Sequence, residues 1–497
     1  MKYNCFTAII VVLCLLSHSV VAQTGYNRPS KLQLSQIARG YGMFIHFGIN
    51  TFNETEWSDG KLPAQSFNPT ELNCDQWVHT AKEAGFRYVI LVAKHHDGFC
   101  LWNSRYTDYD VASATVKTDI VTEVSKACKK YGLAMGLYYS LWDRHEPAHN
   151  NKNPQLYVNY MKNQITELLT GYGKICELWF DGGWAKRDAD WHLAELYGHI
   201  KKLQPNCLVT VNHTIKMAGQ NRAMLPSDMQ QGDTIRYYPV DFRTKDPNMT
   251  RWDDPKLYWY NDTLRYLPFE HTICLSDRWN WFQKKASLPV RSLDELEELF
   301  YLGTANNNML IVNIPPDQTG RLRQHEVNQV LALADRLGIR GGNKQLPAAP
   351  VNLAFGNHVT ASNEQEKNNA ALANDYSIET FWMAEKDTAS LTIHFDSNVT
   401  FNRILLLEKY NEKQLGDGFS VQHLFAIEAY SIETYNGICW TTIFMGNEIG
   451  ACKTIHLPVQ HTAQKIRLQV SKAKQPAGIY HFAVANYTGK QVRKILE

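Results

Sequence analysis

The sequence lacks a dominant charge: 51 lysines and arginines face 49 aspartates and glutamates, for a formal net charge of +2. That balance gives no electrostatic case for nucleic acid or an anionic membrane as a partner. Long apolar runs are also missing. No segment reaches the ~18 consecutive apolar residues a bilayer span needs, so no transmembrane helix is expected. The ten cysteines are scattered with no C-x-x-C pair, which argues against both a disulfide scaffold and a zinc site. No H-x-H pair, internal repeat or low-complexity tract is present. What remains is the composition of a soluble globular protein, 44% hydrophobic and 20% charged. A chain of 497 residues is too long for one ordinary core, so at least two domains are expected. The 13 tryptophans and 25 tyrosines also suit a protein that stacks flat rings on the apolar faces of sugars.

Residues 1–22 read as a signal peptide. Lys2 supplies positive charge, residues 9–16 an apolar core, and Val20-Val21-Ala22 before Gln23 a small-residue cleavage site. This predicts export to the periplasm or the extracellular space.

Residues 23–342 alternate strand-like and helix-like segments. Strands are expected at 41–49, 88–93, 133–140, 176–180, 207–211 and 309–314, with two more undefined between Asp228 and Trp281. Ile120, Val124, Ala127 and Tyr131 recur as one face of a helix, as do Met161, Ile165 and Leu168 after Asn153 and Pro154. A third helix opens at Ser292, with Glu295 placed to complete a capping box. Repeated β-α units with continuously apolar strands predict an α/β fold, a (β/α)8 TIM-like barrel. Residues 343–350 form a Gly/Pro-rich linker. From 351 to 497 the period changes to two, as in Leu391, Ile393, Phe395 and Ile466, Leu468, Val470, which predicts an antiparallel β-sandwich.

The chemistry-bearing residues gather at the expected C-terminal tips of barrel strands, where active sites lie. The stretch Glu177-Leu178-Trp179-Phe180-Asp181-Gly182-Gly183 ends a short apolar strand on a carboxylate, making Asp181 the first candidate nucleophile. His46, His95, His96, Asp97 and Tyr139 stand at other tips, and Glu56 and Trp57 in the loop after the first strand. A metal site would draw on His46, His95, His96 and Asp97. Adjacent histidines on an extended strand point to opposite faces, however, so both could ligate only beyond the strand's end. Glycoside hydrolysis needs a nucleophilic carboxylate, a second acid, hydroxyl partners and rings, and these residues fill that list. On an extended strand Trp179 shares a face with Asp181.

Phe44-Ile45-His46-Phe47-Gly48, Glu56-Trp57, Lys94-His95-His96-Asp97-Gly98-Phe99, Tyr138-Tyr139-Ser140 and Trp179-Phe180-Asp181-Gly182 follow the order seen in glycoside hydrolase family 29, the α-L-fucosidases. Residues 309–317 resemble that family's last barrel strand. The resemblance implies retaining exo-hydrolysis of terminal α-L-fucose from a glycan or glycoconjugate, with no cofactor and no metal. It makes Asp181 the nucleophile and His46, Glu56, His95, His96, Tyr139 and Trp179 fucose contacts. Trp57 and Trp179 would pack the sugar's methyl and C–H surface. For the acid/base, Glu270 in Pro268-Phe269-Glu270-His271-Thr272 is the first choice, against a structural role as an ion pair with Arg278. Asp246 is the second, one methylene shorter than the glutamate usual there, with Asp228, Asp233 and Asp277 behind it. Asn212-His213-Thr214 departs from relatives that carry an arginine after strand five. Residues 351–497 resemble discoidin-like (F5/8 type C) sandwiches, either as a carbohydrate-binding unit or as packing for the barrel. The readings left beside this one are a non-catalytic glycan-binding protein, an exo-glycosidase for another sugar, and a metallohydrolase.

Overall fold

The computed structural model describes residues 27–276, 278, 279, 281–283, 289–342, 344–375, 377, 380–414, 421–489 and 491–496. The expected signal peptide and the candidate Asp277 lie outside the described residues.

Eight parallel strands form a nearly closed barrel: β1 Tyr41–Ile45, β2 Tyr88–Lys94, β3 Ala134–Ser140, β4 Ile175–Asp181, β5 Leu208–Val211, β6 Arg243–Thr244, β7 Phe269–Cys274 and β8 Met309–Asn313. Their order is β5-β4-β3-β2-β1-β8-β7-β6. Between β5 and β6 the ring is held by the Asp241 N–H donating to the Val209 carbonyl at 2.7 Å and Thr210 Oγ1 to the Phe242 carbonyl at 2.8 Å. Phe44, Tyr88, Ile90, Tyr138, Trp179 and Met309 fill the interior, while Val89, Leu91 and Leu137 face the helix layer. Burial on both faces is why these strands read as unbroken apolar runs. β6 and β7 were not legible because β6 has two residues and an antiparallel hairpin, Leu257–Tyr260 with Thr263–Tyr266, intervenes before β7.

The helices start where their caps are. Asn153 accepts from the Gln155 N–H ahead of Pro154–Gly171, with Pro154 in the first turn. Ser292 accepts from the Glu295 N–H at 3.1 Å ahead of Leu293–Thr304. The expected reciprocal bond is replaced: the Glu295 carboxylate pairs with Arg291 instead, because that guanidinium gives it a charged partner.

The N-terminal helix Lys31–Arg39 closes the lower end of the barrel. Its Gln36 is buried and donates to Glu177, and Gln33 donates to the Asp241 and Tyr266 carbonyls at 2.6 and 2.8 Å.

Beyond the barrel, seven strands form an antiparallel sheet around Ala389–Glu408 and Lys453–Ala473. Leu391 faces Leu468, and Ile393 faces Ile466, across their ladder, all four buried. The C-terminal tail returns to the barrel: Arg493 donates to the Ile37 carbonyl at 2.5 Å and the Asn308 carbonyl at 2.6 Å.

Candidate active site

A pocket of about 300 Å³ opens at the C-terminal ends of the barrel strands, with Asp181 in its wall. β4 delivers Asp181 as its last residue. Gly182 then turns left-handed at φ +77°, where a Cβ would lie 2.7 Å from Trp142 and 3.1 Å from the His96 ring. That turn brings Trp184 back over the carboxylate, its indole N–H donating to Asp181 Oδ1 at 3.3 Å. The Asn212 amide donates to the same oxygen at 2.9 Å, and the Tyr138 hydroxyl to Oδ2 at 3.0 Å. Asn212 also accepts from the Asp246 backbone N–H at 3.0 Å, so one amide sits between the two acids.

Both histidines of the Lys94-His95-His96 run line this pocket. A register shift between Val92 and Lys94 turns Lys94 outward, to Asp143 and the Tyr139 hydroxyl, and β2 ends there. His95 and His96 therefore follow in a turn rather than on opposite faces. Ser140 Oγ donates to the Trp142 carbonyl at 2.5 Å and so accepts the His96 Nδ1 proton at 2.6 Å. The His96 Nε2 atom is left 3.6 Å from Asp181 Oδ2. His46 is anchored through Nδ1 by the Asn313 side chain at 3.0 Å. Trp279 donates to Glu56 at 2.8 Å, and Trp57 forms the half-exposed rim.

The surroundings push the pocket's acids in opposite directions. Burial opposes charge on Asp181, but His96, His213, the Gly182 N–H and the Asn212 amide outweigh it and hold the carboxyl below its ordinary range. For Asp246, burial and then the charges of Asp181 and Glu56 raise the pKa well above the ordinary value, with Lys245 opposing. Its Oδ1 is buried without a hydrogen-bond partner. Burial also depresses the imidazoles, His46 to about 3, His96 and His213 to about 4, and His95 well below its usual value. Four imidazoles whose charged form burial disfavours, each able to donate or accept when neutral, thus surround one carboxyl held below its ordinary range and one pushed above it.

Seven of the sequence-predicted residues meet here: Asp181, His46, Glu56, Trp57, His95, His96 and the second acid/base candidate, Asp246. Three do not. Glu270 is the second residue of β7, opposite Met309 at the start of β8, so it lies at the lower end of the barrel. There its two carboxylate oxygens accept from Tyr88 at 2.7 Å and from Trp179 at 3.2 Å. Trp179 belongs to the same interior layer, beneath the pocket. Tyr139 points out toward the helices, its hydroxyl donating to Gln164 at 2.7 Å, and its neighbour Tyr138 takes the inward position. Tyr138 pairs with Trp179 in register, which places it on the inward face, and the sequence of β3 alone does not choose between the two tyrosines. Asp228 and Asp233 sit on surface turns away from the pocket, Asp233 accepting from the Gln230 N–H. Asn212, His213, Trp184 and Trp279 line the pocket and were not singled out as site residues.

Glu270 and Glu177 form a carboxyl pair in the barrel interior. Burial raises both, Glu270 to about 7 and Glu177 well above its usual value, the latter also through the charge of Glu270. A raised folded pKa means that the native state binds more protons than the unfolded chain between the two values. Stability is then lost as pH rises through that window. Glu270→Gln can keep the Trp179 bond and donate to the Tyr88 oxygen. It is expected to retain activity and, above pH 7, to be more stable than the parent by about 1–3 kcal/mol, an advantage that fades toward pH 4.5. Thermal unfolding against pH checks this.

His145-Glu146-Pro147-Ala148-His149 has the spacing of a zinc-protease helix but folds as the 3-10 turn Pro147–Asn150, with Glu146 as its cap. His145 bonds the Gly60 carbonyl instead. Among the described residues no group of three or more His, Cys, Asp or Glu is placed to hold a metal ion.

Comparison with known proteins gives a single answer. The model of the family described as Alpha-L-fucosidase matches residues 31–342. Alpha-L-fucosidase 1 of Arabidopsis thaliana is 28% identical over 464 residues, 90% of this chain and 85% of that protein. The crystal structure of a glycoside hydrolase 29 family member from an unknown rumen bacterium is 25% identical with a TM-score of 0.55, covering 95% of this chain and 78% of that one. A Ruminococcus gnavus GH29 fucosidase solved in complex with fucose shares the fold at a TM-score of 0.51 and 23% identity, covering 93% and 96%.

Proposed function

The chain belongs to the alpha-L-fucosidase family and is a glycosidase, and from that premise we propose a retaining exo-enzyme that releases terminal α-L-fucose from oligosaccharides or glycoconjugates. The observation that carries the reading is that two carboxyls, Asp181 and Asp246, line one pocket at the C-terminal ends of the strands, their surroundings shifting them in opposite directions. In the first step an Asp181 oxygen attacks C1 from the face opposite the aglycone. The C1–O bond breaks, and the Asp246 proton passes to the departing oxygen. A β-fucosyl ester on Asp181 and a free aglycone result. In the second step the Asp246 carboxylate takes a proton from water, whose oxygen attacks C1 and releases Asp181, restoring both groups. The Tyr138, Asn212 and Trp184 donors favour Asp181 as the charged leaving group of that second step.

Asp246 replaces Glu270 in the acid role because it stands just past the C-terminal end of β6 and lines the pocket, as barrel chemistry requires. His46, His95 and His96, with Glu56, would meet the sugar hydroxyls, and Trp57 would cover its apolar face. Export rests on the features of residues 1–22, and the division at residues 343–350 on composition. The discoidin-like reading of residues 351–497 rests on their period-two strands.

The test is the stereochemistry of release. Proton NMR during early turnover of an aryl α-L-fucoside should record α-L-fucose first, with β-L-fucose appearing only by mutarotation. The β anomer first would mean inversion and would remove the fucosyl-enzyme.

A further inference from the structure

The loop after β3 grips His96 by its backbone and by its ring. The Arg144 N–H donates to the His96 carbonyl at 3.0 Å, and the Leu141 N–H to the Asp181 carbonyl at 2.7 Å, so one short segment ties the histidine to the nucleophile. Trp142 lies 5.2 Å from the imidazole at 37°, and a Cβ on Gly182 would come within 3.1 Å of the ring. The ring is thus held in place, and its two nitrogens keep separate surroundings.

One of those surroundings decides where the ring proton sits. Ser140 is fully buried, and its hydroxyl has two neighbours, the Trp142 carbonyl at 2.5 Å and His96 Nδ1 at 2.6 Å. A carbonyl can only accept, so the single hydroxyl proton goes there and a Ser140 lone pair faces Nδ1. His96 must then carry its proton on Nδ1. Burial above all keeps the imidazole neutral, its pKa lowered to about 4, so at pH 7 there is no second ring proton and Nε2 is a bare acceptor.

That acceptor stands 3.6 Å from Asp181 Oδ2. The two oxygens of the nucleophile are not equivalent. Asn212 and Trp184 both donate to Oδ1, whereas Oδ2 takes Tyr138 alone among the described side chains. Oδ2 therefore keeps a lone pair free for C1, and it is the oxygen that His96 faces. A proton on Nε2 would fill that lone pair with a charge-assisted hydrogen bond and withdraw density from the attacking atom.

We propose that Ser140 is a positioning residue for the nucleophile: it fixes the His96 proton on Nδ1, so that Nε2 can accept from a sugar hydroxyl and cannot donate to Asp181 Oδ2. The inference deepens the fucosidase reading and rests on it for the identity of the sugar. Without the serine oxygen, a proton on Nδ1 would be buried with no partner, while a proton on Nε2 would find a carboxylate. The ring therefore changes tautomer in Ser140→Ala.

The tautomer is read on the free, full-length enzyme labelled with nitrogen-15 histidine, by long-range proton–nitrogen correlation at pH 7. The His96 signals are those lost in His96→Gln. The parent should carry Nδ1–H, Ser140→Ala should switch to Nε2–H, and Ser140→Thr, which keeps the hydroxyl, should retain Nδ1–H. On 4-nitrophenyl α-L-fucoside, Ser140→Ala should lose about tenfold or more in kcat, and Ser140→Thr should stay within about threefold of the parent. A parent with Nε2–H or with both nitrogens protonated would overturn the proposal. So would an alanine variant that stays on Nδ1–H, or one whose tautomer switches with kcat undiminished. Because the threonine methyl enters a buried site, the alanine result decides alone if the threonine variant unfolds. If the parent turned over no fucoside, the fucosidase reading would fall, while the tautomer comparison, made without substrate, would still decide what Ser140 does to His96.

Discussion

Asp181→Asn should lower kcat by roughly 10³–10⁵-fold on every fucoside, with the melting temperature within about 2 °C of the parent. The size of the loss follows from the role: no other pocket carboxyl is both ionised and held by three donors, so nothing else can form the ester. Stability is spared because the amide fits the same bonds. Its oxygen can keep the Asn212 and Trp184 donors, and its N–H can donate to the Tyr138 oxygen. The substitution also removes a charge that burial opposes. Steady-state kinetics beside thermal unfolding measure both halves. A variant with near-normal turnover would remove the assignment, and one that is inactive only because it is unfolded would leave Asp181 as a structural residue.

Asp246→Ala should separate substrates by leaving group. On an oligosaccharide, whose departing oxygen needs a proton, kcat/KM should fall by about 10²–10⁴-fold. On a dinitrophenyl fucoside the first step needs no acid, so kcat/KM should stay within about tenfold, while kcat drops because water is no longer activated. Azide, which needs no base, should restore turnover and yield α-L-fucosyl azide, because it attacks the fucosyl ester from the face the aglycone left. The pH profile carries the same signature. In the parent, kcat/KM rises as Asp181 ionises, below the ordinary carboxylate range, and falls as Asp246 loses its proton, well above it. The imidazoles, His46, His96 and His213 held near 3 to 4 and His95 well below its usual value, contribute nothing to the alkaline limb. The variant should lose the alkaline fall. Equal damage to both leaving groups and an unchanged alkaline limb would transfer the acid role to Glu56, the third carboxyl in the pocket, which burial also raises.

Most of the barrel was legible because its strands are buried on both faces and its helices carry ordinary caps. The same patterning placed Asp181 and the histidines of β1 and β2 at one end. What failed was direction along and around a strand. Glu270 sits near the start of β7, and since β7 was not delimited in the sequence, nothing marked it as belonging to the wrong end of the barrel. Tyr139 and Tyr138 are adjacent, and choosing between them needed the register with Trp179. The shift at Val92–Lys94 that puts His95 and His96 in one pocket leaves no trace in composition. Trp184, Asn212 and Trp279 are brought in by loops whose paths depend on tertiary contacts, Gly182 against Trp142 and Trp279 against Glu56 among them.

The most direct measurement is to stall the first step's product. Incubation with a 2-deoxy-2-fluoro-L-fucosyl fluoride slows both steps but leaves a reactive leaving group, so the ester accumulates. Proteolysis and tandem mass spectrometry then locate it. The account predicts a fluorofucosyl adduct on Asp181 and on no other residue. An adduct on Glu56 or Asp246, or inactivation without any covalent adduct, would contradict it.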